Sequence, residues 1–261
     1  MPDIKMVATF DTAFHQTMPI ENYLYPIPYE YYTKYKVRKY GAHGTSHQYV
    51  SKRACELLGK DIKNLKIVTC HLGQGASICA IKDGKSYDTS MGLTPLGGIP
   101  MVTRSGDLDP SVVTYMMGKE KLSPDQANTI LNKKSGLAAM CGLVPDFREI
   151  EAISNENEMA NVAIQKFNSS IAQYIARYAA EMNGLDLLVF TGGIGENQIT
   201  VRKEICKHLE FMGVKLDVER NNVKSEEKEI SDSSSKVKIF IIPTDEEMVI
   251  ARDTLQLVSL K

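Results

Sequence analysis

The sequence of 261 residues predicts an α/β domain. Three observations predict it: a β-meander in the first half, helical and strand-like patterns that alternate in the second half, and glycine-rich segments that follow two of the apolar runs. Hydrophobic residues make up 43% of the chain, which is enough for a substantial buried core. We therefore expect a globular protein.

The meander is predicted from short runs and one turn signal. Two runs rich in apolar and β-branched residues, 6–10 and 66–72, are expected to form strands. The segment 76–82 alternates in character, and the Asp-Gly pair at 83–84 is a strong signal for a two-residue hairpin turn. The chain then returns over 85–90, which completes the meander.

A long helix is predicted over about 155–182, because apolar residues recur there at spacings of three and four. The Asn-Gly pair at 183–184 is typical of a helix end. The remaining predicted elements alternate along the chain: a strand at 185–191, a helix at 198–209, a strand at 237–242 and a helix from 245 toward 257.

Charge and cysteine content exclude several classes of partner. The formal net charge is -1, so no long-range field favours nucleic acid or an anionic membrane. The sequence has no run of about 18 apolar residues, so it predicts no membrane-spanning helix. The five cysteines include no C-x-x-C pair, which is typical of reduced thiols. We expect a cytoplasmic protein with neither a nucleic-acid nor a membrane partner.

Two glycine-rich loops are candidates for phosphate binding. The loop His71-Leu-Gly-Gln-Gly75 joins two predicted strands, and its glycines would let backbone N–H groups approach a phosphate. The loop Gly193-Ile-Gly-Glu-Asn197 lies between a strand and a helix, the order that an anion-binding turn requires. An ordinary tight turn also explains the first loop, and close helix-to-strand packing also explains the second.

Two charged side chains are candidates for the chemistry. Arg104 lies in the turn-rich segment 103–110 and could stabilise a phosphoryl group through a fork of hydrogen bonds. A local ion pair with Asp107 or Asp109 is the alternative. Asp11 follows a predicted strand, a typical position for an active-site carboxylate and equally for a cap of the next segment.

Two histidines, His43 and His47, stand four residues apart and would share a helix face as a metal pair if their segment were helical. Gly44 argues against a helix. We therefore expect one histidine to form local hydrogen bonds from a loop and the other to face the active site.

The start of the last predicted helix contains a possible capping box, in which Thr244 and Glu247 would bond each other's backbone N–H groups. This structural role for Glu247 would leave Glu246 available for another task, such as holding a magnesium-bound water.

Together, these motifs resemble the acetate kinase family in order and in wording. The resemblance runs over nearly the whole chain, in residues 10–18, 43–47, 71–75, 88–96, 103–110, 193–197 and 243–247. It implies a ribonuclease-H-like fold of the actin, Hsc70 and sugar kinase superfamily, with a mixed sheet flanked by helices. It also implies a homodimer and ATP bound between two domains.

The resemblance further implies reversible transfer of the γ-phosphoryl group of ATP to acetate, giving acetyl phosphate and ADP. Asp11 would be the catalytic carboxylate, and His43 and Arg104 would stabilise the transferring phosphoryl group. Magnesium would lie near Glu246. The residues implied for ATP binding are His71, Leu72, Gly73, Gln74, Gly75, Asp146, Phe147, Arg148, Gly193, Ile194, Gly195, Glu196 and Asn197.

Residues 12–243 are expected to form the nucleotide-binding second domain of such an enzyme, with 1–11 and 244–261 as parts of an absent first domain. Gln74 stands where the family usually has asparagine, and Val102 where it commonly has glycine. The alternatives are a truncated, non-catalytic module for nucleotide binding or dimerisation, and a kinase for butyrate or propionate. A histidine-dependent metallohydrolase would need a third ligand near the two histidines.

Overall fold

The computed structural model describes residues 4–142 and 145–259. The strands of the described chain are β1 Lys66–Leu72, β2 Ala76–Lys82, β3 Lys85–Thr89, β4 Leu187–Thr191, β5 Lys228–Glu229 and β6 Lys238–Ile241. The helices are α1 Ile20–Tyr23, α2 Glu30–Tyr35, α3 Gly44–Leu58, α4 Pro110–Glu120, α5 Pro124–Lys133, α6 Gly136–Cys141, α7 Phe147–Ala152, α8 Glu158–Glu181, α9 Gly192–Asn197, α10 Ile199–Lys207 and α11 Glu246–Ser259. Short 3₁₀ turns span Ala13–Thr17, Ile62–Asn64 and Glu210–Met212.

The strands form one mixed sheet in the order β3-β2-β1-β4-β6-β5. Strands β1, β2 and β3 pair antiparallel as the predicted meander, while β4 runs parallel to both β1 and β6. Because parallel strands end at the same edge of a sheet, the segments that follow β1, β4 and β6 meet there. The sheet and its flanking helices confirm the predicted fold class.

Helices cover both faces of the sheet. The larger core packs α8 onto one face, and its fully buried residues include Phe167, Ile171, Ile175, Val68 and Phe190. The smaller core packs α3 onto the other face and includes Val50, Ala54, Ile67, Val189 and Phe240. Strands buried on both faces explain why the sequence of β4 reads as a continuous apolar run.

The predicted turn and the long helix are confirmed. Asp83 and Gly84 both have positive φ, 54° and 75°, as the predicted two-residue hairpin turn requires. The long helix ends just before the predicted Asn-Gly pair, where Asn183 has φ of 54° and the N–H of Gly184 donates to the carbonyl of Ala179 at 2.8 Å.

The prediction of a strand at 6–10 is wrong. These residues form no regular element, and the side chains of Met6 and Phe10 are 93% and 70% exposed. The apolar pattern is real, but within the described residues no neighbouring strand pairs with it. A strand needs a partner for its backbone groups, and the local pattern does not report one.

The argument against a helix at Gly44 is also wrong, because α3 begins at this residue. The N–H of Gly44 donates to the carbonyl of Asp11 at 2.8 Å. A Cβ at position 44 would lie 2.3 Å from that oxygen, so glycine is needed for the close approach.

In the part of the chain that the structure describes, no helix has both the length and the apolar character needed to cross a membrane.

Candidate active site

The segments that follow β1 and β4 border a cavity of about 490 Å³ at the edge of the sheet. Most of the predicted ATP-binding residues line it. The lining consists of Gly73, Gln74, Val102, Asp146, Phe147, Arg148, Gly193, Ile194, Asn197, Gln198 and Lys224. Two segments that are far apart in the sequence, the two predicted glycine loops, therefore share one cavity.

The first glycine loop is tight and is tied to a neighbouring segment. The N–H of Gly73 donates to the carbonyl of Gly75 at 3.1 Å, which closes the loop. The side chain of Gln74 donates from Nε2 to the carbonyl of Pro145 at 3.3 Å. Gln74 therefore connects this loop to the segment that carries Asp146.

The second glycine loop forms the first turn of a helix, as α9 begins directly after β4. Gly192 has φ of 77°, and a Cβ there would lie 2.8 Å from the carbonyl oxygen of Leu72. This close approach explains the glycine at 192. A Cβ on Gly193 would meet no atom within 4 Å, so this glycine leaves open space beside the cavity.

Three of the predicted ATP-binding residues support the loops from outside the cavity lining. Leu72 is fully buried, and Gly195 is buried beneath the second loop. Glu196 accepts hydrogen bonds at Oε1 from the N–H groups of Gly192, at 2.9 Å, and Thr244, at 3.4 Å. Glu196 therefore joins the ends of β4 and β6.

The segment at Asp146 forms another wall. Asp146 caps α7 by accepting the N–H of Arg148 at 2.9 Å, and its carboxylate pairs with the Arg148 guanidinium at 2.6 Å. These bonds from Arg148 lower the pKa of Asp146. Phe147 is buried and packs on Phe167, with 5.5 Å between the ring centroids. The cavity therefore has an aromatic floor beside a charged rim.

The three predicted catalytic residues lie together beside the first glycine loop. A Cβ on Gly75 would be 3.3 Å from Nη1 of Arg104 and 3.6 Å from Nε2 of His43. The carboxylate of Asp11 accepts the backbone N–H of His43 at 2.6 Å. Asp11 thus supports the start of α3 and does not cap the segment that follows it in sequence.

The alternative of a local ion pair for Arg104 is wrong. Its Nη1 donates to the carbonyl of Pro95 at 3.2 Å, and no carboxylate of the described residues pairs with it. Asp107 accepts the N–H of Gly98 at 2.8 Å, and Asp109 caps α4. The positive charge of Arg104 is therefore available to an anion above Gly75.

The two histidines of the 43–47 segment have different surroundings. His43 has φ of 56° and bonds from Nδ1 to the hydroxyl of Ser77 at 2.9 Å. Its pKa is lowered by burial and by the positive charge of Arg104, while the charge of Asp11 opposes this shift. His47 is fully buried between the hydroxyls of Thr69 and Ser77. His47 is the locally bonded histidine, although it lies on a helix.

The residues the structure describes contain no group of three or more His, Cys, Asp or Glu side chains that could hold a metal ion. The third ligand that a histidine-dependent metallohydrolase needs is therefore not found among residues 4–142 and 145–259.

Glu246 begins α11 and is half-buried. Burial raises the pKa of its carboxyl group, and the negative charge of Asp11 raises it further. The two carboxylates are therefore close enough to feel each other's charge.

The predicted capping box is wrong in its details. Asp245 accepts the N–H of Met248 at 2.9 Å and so caps α11. The hydroxyl of Thr244 is buried and has no hydrogen-bond partner among the described residues. Since Asp and Thr are both good caps, the adjacent pair gave an ambiguous signal and the later residue took the role.

Several side chains at this candidate site lie outside the predicted set. Lys224 and Gln198 line the cavity, and Ser77 contacts His43. Lys224 comes from a polar segment without a motif, so sequence offers no signal for it. Ser77 follows the first glycine loop by two residues, and the alternation of β2 would have placed it on a definite face.

Known proteins are similar to this chain in sequence and in structure. A sequence model of the acetokinase family matches residues 1–252. The acetate kinase of Treponema denticola is 56% identical over 259 residues, which is 99% of this chain and 65% of that protein. This chain therefore spans 65% of the length of that relative.

Two solved structures are similar over nearly the whole chain. The acetate kinase of Porphyromonas gingivalis is 50% identical with a TM-score of 0.93, over 95% of this chain and 63% of that one. A propionate kinase from Francisella tularensis is 45% identical with a TM-score of 0.90, over 96% of this chain and 64% of that one. The chain belongs to the acetokinase family.

Proposed function

We propose that the chain binds ATP in the cavity and that the whole protein transfers its γ-phosphoryl group reversibly to acetate, giving acetyl phosphate and ADP. The observation that carries this proposal is that Arg104 and His43 face one point above Gly75, next to the cavity. Backbone N–H groups of the two glycine loops suit the other phosphates.

The proposed chemistry needs charge stabilisation and no general base. A carboxylic acid has a pKa of about 4.3, so acetate is already ionised at neutral pH. The phosphoryl oxygens need positive charge and hydrogen-bond donors in the transition state. Arg104 offers a forked cation, and His43 offers a ring nitrogen next to the same point above Gly75. Asp11 holds the backbone of His43 in place.

Magnesium suits the carboxylates of Asp11 and Glu246. This ion commonly takes one or two carboxylates together with water and substrate phosphates, so a cage of three protein ligands is not required. When bound, magnesium would neutralise phosphate charge. Glu246 would hold the ion or one of its waters, and Asp11 would position it.

The domain boundaries stay a proposal. We propose that residues 12–243 form a nucleotide-binding domain and that 1–11 and 244–261 belong to a second unit. The exposed side chains of Met6 and Phe10 support this division, and α11 packs on α3 where the two parts of the chain meet. Residues 1–3 and 260–261 lie outside the described chain.

Propionate is a second candidate acceptor, because the Francisella tularensis structure that covers 96% of this chain is described as a propionate kinase. Acetate and propionate differ by one methylene, which a hydrophobic pocket discriminates by only about 1–3 kcal/mol. Both acids therefore belong in the same assay.

The proposal is tested by ATP-dependent formation of acyl hydroxamate from each acid in the presence of magnesium and hydroxylamine. Arg104→Ala is compared with Arg220→Ala, whose side chain is 54% exposed and pairs with Asp217. We expect Arg104→Ala to lower turnover by about 10²–10³-fold with a smaller loss of ATP affinity, and Arg220→Ala to change neither. Equal activity of both variants would contradict the role of Arg104.

Nucleotide binding is measured in parallel, because this chain spans 65% of the length of the Treponema denticola relative. ATP binding without turnover would support the nucleotide site and favour a non-catalytic module. A lack of both would contradict the proposed site.

We further propose a homodimer, and exposed apolar side chains support association of the chain. They include Tyr29, Tyr35, Tyr115 and Leu255, each at least 60% exposed. Light scattering after size-exclusion chromatography should give at least twice the mass of one chain, and a stable monomer would contradict this. The cytoplasmic location, expected from the cysteine spacing, stays a prediction.

A further inference from the structure

We propose that a buried hydrogen-bond chain, running from Thr69 through His47 and Ser77, fixes His43 in the neutral form that carries its proton on Nε2. The inference rests on the proposed function only in assigning a task to that N–H group. Thr69, His47 and Ser77 would be positioning residues, because each acts on the site through His43.

The hydrogen-bond chain is continuous and enclosed. The Thr69 hydroxyl lies 2.7 Å from Nδ1 of His47, and Nε2 of His47 lies 2.8 Å from the Ser77 hydroxyl. The same hydroxyl lies 2.9 Å from Nδ1 of His43. Thr69, His47 and Ser77 are all fully buried. Solvent water therefore cannot hydrogen-bond to a proton or a lone pair that the hydrogen-bond chain leaves unpaired.

The direction of these bonds follows from the donors that must be satisfied. A hydroxyl has one proton to donate, and a neutral imidazole has one N–H donor and one acceptor nitrogen. Burial lowers the pKa of His47 well below its usual value, so His47 is neutral. The Ser77 hydroxyl therefore donates either to His47 or to His43.

Suppose first that Ser77 donates to Nε2 of His47. Neutral His47 would then carry its proton on Nδ1 and donate it to Thr69. The Thr69 hydroxyl would keep a proton for which the described residues offer no other acceptor within hydrogen-bond distance. This direction leaves a buried donor unpaired, which is unfavourable.

In the opposite direction, the protons of Thr69, His47 and Ser77 all have acceptors. Thr69 donates to Nδ1 of His47, His47 donates from Nε2 to Ser77, and Ser77 donates to Nδ1 of His43. The acceptor nitrogen of neutral His43 is then occupied, so its proton is on Nε2.

This tautomer suits the place where Nε2 lies. Nε2 of His43 and Nη1 of Arg104 both border the space above Gly75, 3.6 Å and 3.3 Å from where a Cβ on that residue would lie. A proton there makes His43 a hydrogen-bond donor toward a phosphoryl oxygen. The other tautomer would present a lone pair to the same oxygen and would repel it. The buried chain thus sets which kind of group the site offers.

The tautomer can be observed without activity. The chain has five histidines, so long-range ¹H–¹⁵N correlation spectra of protein labelled with ¹⁵N-histidine resolve each ring, assigned with single His→Gln variants. We expect both His43 and His47 as neutral rings protonated on Nε2. A His43 ring protonated on Nδ1 in the wild-type protein would overturn the proposal.

Two substitutions at Thr69 test the direction of the chain. Thr69→Val keeps the shape and removes the hydroxyl, so neither direction is favoured, and His43 should show a mixture of tautomers. Thr69→Ser keeps the donor and should restore the single wild-type form. Retention of the single form in a folded Thr69→Val protein would overturn the proposal, because Thr69 would then not set it.

Loss of the hydrogen-bond chain should also lower turnover where turnover is measurable. Hydrogen-bond partners behind metal-bound histidines are typically worth about 10- to 100-fold. We expect a decrease of the same order here, falling on kcat more than on KM for ATP. ATP binding itself should persist in Thr69→Val. Failure of ATP binding in the wild type would instead refute the proposed function and leave the tautomer result standing.

Discussion

The imidazole ring of His43 stacks on the ring of His71, with 4.1 Å between the centroids and 23° between the planes. The two rings lie face to face in half-buried positions, where a positive charge on either would disfavour one on the other. Burial lowers the pKa of His71 to about 3, and the charge of His43 contributes to the shift. The site is therefore built from neutral histidines.

The stability of the fold should depend on pH through these groups. Burial also lowers the pKa of His15 to about 4, and all these values lie below the 6.5 of an unfolded histidine. Between pH 6.5 and the lowered pKa values of the native state, the unfolded state binds protons that the native state excludes. The stability that these histidines contribute is therefore present above pH 6.5 and is lost as the pH falls. The slope approaches about 1.4 kcal/mol per pH unit for each excluded proton.

Urea denaturation at a series of pH values measures this slope. The free energy of unfolding should fall between about pH 7 and pH 5, before most carboxylates titrate. His15→Gln should give a lower stability but a shallower slope. A flat profile in the wild type would show that the buried histidines do not titrate as described.

Glu246 and Glu247 form a matched pair for testing the magnesium site. Glu246 is half-buried and feels the charge of Asp11, whereas Glu247 is exposed. Glu246→Gln should raise the magnesium concentration needed for half-maximal ATP binding several-fold, on the order of 1 kcal/mol, because a carboxylate ligand or water acceptor loses its charge. Calorimetric titration at several magnesium concentrations measures this shift.

Glu247→Gln should leave the magnesium dependence unchanged. If both variants behave alike, the effect belongs to the overall charge at the start of α11 and not to a site at Glu246.

Arg202 is a buried support for the second glycine loop. Its guanidinium donates to the carbonyl of Gly195 at 2.9 Å and to Asn221 Oδ1 at 2.7 Å, and the residue is fully buried. Burial lowers its pKa to about 10, so it stays charged at neutral pH. Arg202→Met should destabilise the fold by about 3 kcal/mol, because it leaves several buried acceptors unpaired.

The exposed neighbour Lys203 provides the control, since Lys203→Met changes a similar side chain without removing a buried bond. Urea denaturation compares the two variants. A loss of less than about 0.5 kcal/mol for Arg202→Met, within the range of surface changes, would mean that the loop does not depend on Arg202.

The hairpin and the glycine loops could be predicted because each is encoded locally. The Asp-Gly turn at 83–84 needs two positive φ angles, and few residue pairs accept them. By contrast, the contact between His43 and Ser77 joins residues 34 positions apart, and it depends on how α3 packs on the sheet. The sequence assigns both residues to particular segments but does not show that these segments pack against each other.

The errors have the same physical origin. The apolar pattern at 6–10 predicts a strand without supplying a partner, and Gly44 suggests a break although a distant carbonyl of Asp11 requires it. For Arg104, the sequence suggests local ion-pair partners that do not pair with it in the fold. Its nearest acids in sequence are Asp107 and Asp109, but each is already engaged in supporting the backbone.

The central claim is that ATP occupies the cavity between the two glycine loops, and two glycines test it directly. Gly193 and Gly118 are both exposed helical glycines at which a Cβ would meet no atom within 4 Å, but only Gly193 borders the cavity. Gly193→Leu would fill the cavity from its wall without disturbing the packing, while Gly118→Leu adds the same side chain elsewhere.

Calorimetric titration with ATP and magnesium compares the two variants with the wild-type chain. The wild type and Gly118→Leu should bind ATP equally, and Gly193→Leu should bind at least about tenfold more weakly, a loss of about 1.4 kcal/mol. Undiminished binding of ATP by a folded Gly193→Leu protein would contradict the assignment of the nucleotide to this cavity.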